Sequence, residues 1–128
     1  PAALSTARLA HKGAQRLYAP GHPVRALLRT TLVRLETMPP PQDPSNPALE
    51  TRYWSDVTAR ERALEGLVGA LREVELAFGN GSAGAAKGGE MARMLRDLIS
   101  DQEQGIVVGR RMRAAAVEER RRGKTLGR

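Results

Sequence analysis

The chain has 128 residues, enough for one domain, and 21 Lys plus Arg against 14 Asp plus Glu give a net charge of +7. It has no cysteine and only four aromatic residues, Tyr18, Tyr53, Trp54 and Phe78, which excludes a disulfide-stapled domain, thiolate metal sites and an aromatic-lined cofactor pocket. No apolar stretch approaches the ~20 residues of a membrane helix, and the scarcity of β-branched residues predicts a mainly α fold.

The charge is unevenly placed. Residues 1–35 carry +6 with no acidic side chain, residues 36–109 carry −5, and residues 110–128 carry +6. Two cationic ends therefore flank an acidic middle, and each end is best satisfied by an external polyanion or an acidic surface. Eighteen of the 21 basic residues are arginine.

In chain order, the first segment reads as a basic amphipathic helix. Arg8, Lys12 and Arg16 stack at i, i+4, i+8, and Leu9, Gly13 and Leu17 run down the adjacent strip. Free of acids and carrying Ser5, Thr6, Thr30 and Thr31, residues 1–35 have the character of a mitochondrial targeting segment, which predicts a mitochondrial address or, failing that, a soluble intracellular protein. Ala19-Pro20-Gly21-His22-Pro23 is a turn, with Pro23 in the first turn of the next helix. Val24, Leu27, Leu28, Thr31, Leu35 and Met38 define one face of that helix, which ends by residue 38.

Residues 39–47 hold five prolines and predict an extended polyproline spacer, with Asn46 as N-cap and Pro47 as first helical residue beyond it. From 48 to 78 the spacing predicts one long helix of roughly 46 Å. Tyr53, Val57, Arg60, Leu64, Leu67, Leu71, Val74 and Phe78 alternate at four and three residues, a heptad seam broken only by Arg60. Such a seam wants a helical partner of comparable length, so Tyr53, Val57, Leu64, Leu67, Leu71, Val74 and Phe78 form a candidate protein interface. Gly79 is placed as a left-handed C-cap, and residues 79–89, with five glycines, as a linker. A third helix is expected near Glu90, with Gly105-Ile106-Val107-Val108-Gly109 marking a bend, a short extended piece or a close helix crossing. The last stretch, Arg110 to Arg122, is rich in Ala, Arg and Glu and favours helix. The expected architecture is thus three to four helices in segments 1–38, 39–47, 48–78, 79–89 and 90–128.

Motifs for catalysis are weak. Gly79 and Gly84 have phosphate-loop separation, but Ala85-Ala86-Lys87-Gly88 lacks the Gly-Lys-Ser/Thr that follows in such loops. His11 and His22 have no nearby carboxylate or thiolate for a metal. Ser45, Ser55, Ser82 and Ser100 lack a base. Asp97 with Asp101 and Glu61 with Glu65, each at i, i+4, read as salt-bridge partners in an arginine-rich helix. No cofactor, metal or catalytic residue is expected. Pro23-Val24-Arg25-Ala26-Leu27-Leu28-Arg29 resembles the opening of small mitochondrial LYR-motif proteins, but Pro and Val stand where that family has Leu and Tyr, and no membership is assigned on it.

The C-terminal run carries the functional reading. Arg110, Arg111, Arg113, Arg120, Arg121 and Arg122 cover more than half of a helix circumference, followed by Lys124 and Arg128. Arginine offers a planar fork that grips phosphates bidentately, and the absence of aromatics here implies contact with backbone rather than bases. These features imply a non-catalytic structural subunit of a large assembly: first an organellar ribosomal protein on rRNA phosphates, next an accessory subunit of a mitochondrial respiratory-chain complex, third a protein bound to an acidic cytoskeletal lattice.

Overall fold

The computed structural model describes residues 2–40, 43–79 and 85–126, and the side chains of all of these save 85–87 and 124–126. These residues form five helices and no strand: α1 (Ala2–Leu17), α2 (Pro23–Glu36), α3 (Ala48–Ser55), α4 (Val57–Phe78) and α5 (Ala85–Leu126).

α1 and α2 make a helical hairpin. Its turn needs Gly21, which alone among the described residues has a positive φ, 93°. Pro23 opens α2 as expected, and the Nδ1 of His22 accepts from the Val24 N–H at 3.1 Å, so this histidine is an N-cap. The face that α1 buries is not the one its leucines suggest. Ala7 and Ala14 are buried, whereas Leu9 and Leu17 are 72% and 77% exposed. Alanines let α1 lie close to α2, and the N-terminal segment is thereby a bundle helix instead of a free basic arm.

The expected single helix over 48–78 is two helices. Asp56 ends α3 and caps α4, its carboxylate accepting from the Ala59 N–H at 3.2 Å. The capping carboxylate satisfies donors that a continuous helix would have spent on the preceding turn. Before α3, residues 43–46 turn on the Asp43 carboxylate, which accepts from the Ser45 N–H and hydroxyl, so this part of the proline spacer is folded back. Pro47, not Asn46, occupies the N-cap position of α3. Gly79 stays right-handed at φ −67° and is no left-handed cap. Helix α5 already runs at Ala85, five residues ahead of the expected start at Glu90, and takes in the end of the glycine segment; residues 80–84 lie outside the described chain.

The core is built from small and branched side chains: Ala26 and Val33 of α2, Leu67, Ala70 and Val74 of α4, and Ala92 and Leu95 of α5. Leu67 and Leu95 are fully buried. α4 thus packs between α2 and α5 of the same chain. Val57, Leu67 and Val74 are buried there and Leu64, Leu71 and Phe78 half-buried.

Of the alternatives at Gly105–Gly109, the close crossing is the one found. α5 runs unbroken, a side chain at Gly105 would run into the Trp54 ring, and one at Gly109 into the Trp54 carbonyl. α3 therefore lies directly on α5. Tyr53 ties the corner: its hydroxyl donates to the Thr37 carbonyl at 2.8 Å and accepts from Gln102 Nε2 at 3.0 Å.

Candidate nucleic-acid interface

Helix α5 is 42 residues long, about 63 Å at 1.5 Å per residue, and the bundle covers only its first part. Among the described residues Gly109 is its last buried one, and every residue from Arg110 to Gly123 is exposed. Two contacts fasten the base of this projection to the body. Arg110 pairs with Glu61 at 2.9 Å, and Arg113 donates to the Ser55 carbonyl at 3.4 Å. Residues 114–126 extend about 20 Å farther.

This arm stays helical without a packed face for local reasons. Ala114, Ala115 and Ala116 have high helix propensity. Glu118 and Arg122 pair at i, i+4, 3.6 Å apart. Cations near the C-terminus oppose the helix dipole, and the docked half supplies the nucleus that an isolated helix of this length lacks.

On helical geometry, Arg110 and Arg121 lie on one side, Arg111 and Arg122 on a second, Arg113 and Arg120 on a third. The remaining side carries Val108, Met112, Ala115 and Ala116, with Glu119 beyond them. Arg111 and Arg120 have no ion-pair partner among the described residues. The arrangement is a cationic rod whose guanidinium groups point several ways from one axis, suited to spaced phosphates along a strand or to the two walls of a groove. Lys124 continues the helix, with its side chain outside the described residues, and Arg128 lies outside them altogether.

On α2, by contrast, Arg25 and Arg29 are turned toward a buried acid. Glu73, 6% exposed, sits between α2 and α4 with Arg29 Nη1 at 2.9 Å and Arg25 Nε at 3.0 Å, the second close but not aligned as a hydrogen bond. Arg29 reaches it by crossing Gly69, where a side chain would collide with the guanidinium. Arg25 also donates to the Tyr18 carbonyl at 3.2 Å. Beside this cluster, His11 has a buried Nε2 without a partner, and burial holds its pKa below the ordinary 6.5 despite the opposing pull of Glu73. Sequence reasoning missed this cluster because its members are more than 40 residues apart; only the i, i+4 placing of Arg25 and Arg29 hinted at a shared acceptor.

The residues weighed for chemistry stay apart. Glu61 is taken by Arg110, Glu65, Asp97 and Asp101 are exposed, the Ser55 hydroxyl donates to the Arg52 carbonyl, and Ser82 lies outside the described residues. No group of three His, Cys, Asp or Glu side chains gathers among the described residues as a metal site would require. No helix among them is long and apolar enough to cross a membrane. Comparisons with protein-family models, with curated proteins and with solved structures find no match to this chain.

Proposed function

We propose that the chain is a non-catalytic structural subunit of a large RNA–protein assembly, in which the bundle docks among neighbours and the arm of α5 lies on RNA phosphates. The observation that carries this reading is the arm itself: a run from Arg110 to Gly123 that is exposed throughout and holds six arginines, projecting from a body that turns Arg25 and Arg29 inward. Isolated, such a helix buries nothing and gains nothing from its length; against a polyanion each arginine releases condensed counterions. Within this class we favour an organellar ribosomal protein, an address supported by the acid-free, arginine-bearing residues 1–35.

The test is sedimentation of the full chain with ribosomal particles from mitochondrial extracts. Recovery with the particles, lost on RNase treatment, is expected; recovery that survives RNase digestion contradicts the reading. One observation favours a second reading, an accessory subunit of a mitochondrial respiratory-chain complex with the arm on acidic protein or anionic lipid. Val108, Met112 and Val117 are 49%, 37% and 48% exposed among the arginines, and apolar groups interleaved with cations suit such a surface. That version predicts co-migration with a membrane complex in mild detergent.

A further inference from the structure

Arg60 interrupts the apolar spacing of its helix, and the fold buries it to 8% exposure. Its guanidinium carbon lies 3.5 Å from the centroid of the Tyr53 ring. Its Nε and Nη1 have no hydrogen-bond partner, and none of the ion pairs among the described residues includes it. Arginine cannot escape burial by losing its proton. A buried charge without a counter-charge is among the costlier features a fold can carry, and a ring face returns only a small part of that cost.

The same side chain lines an open groove of about 230 Å³ between the end of α2 and the first half of α4. Arg62 adds a second cation to the wall, and Ala63 and Gly66 leave room along its floor. The acid on this wall, Glu36, already faces Arg8 at 3.8 Å, and the Thr37 hydroxyl donates to the Val33 carbonyl at 2.7 Å. The groove therefore carries positive charge on its wall, and the buried Nε and Nη1 donors of the same Arg60 have no acceptor among the described residues.

We infer that this groove is a binding site for a small oxyanion, a carboxylate or phosphoryl group held by Arg60 with Arg62 at the rim. The site is separate from the arm and independent of the RNA reading. Its volume fits a small anionic molecule and falls below that of a drug-sized pocket. Tyr53 carries the cation on its face while its hydroxyl bridges Thr37 and Gln102, so occupancy would reinforce the corner where α2, α3, α4 and α5 meet.

The test uses full-length chain carrying Arg111→Gln and Arg120→Gln, which removes two arm cations from the background. Its thermal midpoint is measured in sodium phosphate, in sodium acetate and in sodium chloride at equal ionic strength. At about ten times the dissociation constant, the favoured anion should raise the midpoint by about 5 °C over chloride. A response to acetate assigns the site to carboxylates, and a response to phosphate alone assigns it to phosphoryl groups. Adding Arg60→Gln should abolish the difference; because phosphate also stabilises proteins generally, the difference between the two variants is the readout. An equal shift with and without Arg60, or no shift with either anion, overturns the inference. Should Arg60→Gln fail to fold, the Arg60 Nε–H resonance of the otherwise native chain decides: it should move saturably with the anion, and a resonance that stays put overturns the site.

Discussion

The two cationic ends of this chain carry the same charge, but only the first turns part of it into the packing. In residues 1–35, Arg25 and Arg29 converge on the buried Glu73, and α1 packs by its alanines. In residues 110–123, the arginines stand on the exposed part of α5, and Arg110 and Arg113 reach back to the body. Net charge alone does not distinguish them. What does is whether a buried acid from another helix meets the cations after folding: Glu73 is presented to α2 by α4, whereas beyond residue 113 every described side chain of α5 is exposed. Two cations of the first end are thereby part of the packing, whereas the described cations of the second end stay exposed.

The comparison breaks most sharply at Glu73. Replacing it with Ala leaves Arg25 and Arg29 facing each other at a helix junction, and should cost about 2–4 kcal/mol in chemical denaturation, toward the low end because both guanidinium groups keep some solvent. RNA affinity should stay unchanged. The reverse pattern is expected for Arg120→Gln, Arg121→Gln and Arg122→Gln together: unfolding midpoint unaltered, and RNA affinity in a filter-binding titration lower by about 50-fold near physiological salt. Loss of stability with unchanged binding would show that the arm belongs to the architecture after all. Gly105→Val should force Trp54 off α5 and cost about 1–3 kcal/mol, with the loss of the native tryptophan fluorescence maximum as its signature.

The smallest effect concerns pH. Burial favours neutral His11 in the folded chain, so as pH falls below about 6.5 the unfolded chain takes up the proton first. Stability should be flat above that value and decline below it, and His11→Gln should flatten part of the decline in denaturation curves taken at about pH 7.5 and 5.5. An identical slope in the variant would remove His11 from the account.

Much of the architecture was legible because it rests on local chemistry. The Pro20–Gly21 turn, the start of α2 at Pro23 and the helical periodicity around Leu67 and Val74 are written in residue types a few positions apart. The break at Asp56 was masked because the spacing of four and three continues through Tyr53, Val57 and Arg60 even though one helix ends and another begins there. The glycines divide. Gly79 invited a left-handed cap that it does not form, whereas the close crossing among the alternatives at Gly105 and Gly109 is the one found, against Trp54, a residue some 50 positions earlier. Arg60 was visible as an anomaly in the spacing, but its place on the Tyr53 ring depends on the break at Asp56 that sets α3 off from α4. The arginines of the arm were legible as a run; that they stand clear of the bundle follows from the unequal lengths of α4 and α5, which the expected start at Glu90 and the doubt at Gly105–Gly109 obscured.

The most direct measurement is the salt dependence of RNA binding for three forms of the full chain: unaltered, with Arg120, Arg121 and Arg122 changed to Gln, and with Arg8, Lys12 and Arg16 changed to Gln. The arm variant should lose about two units from the slope of log K against log salt, while the α1 variant keeps the slope of the unaltered chain. A full slope in the arm variant, or an equal loss in the α1 variant, would contradict the claim that the projecting end of α5 is where this protein meets RNA.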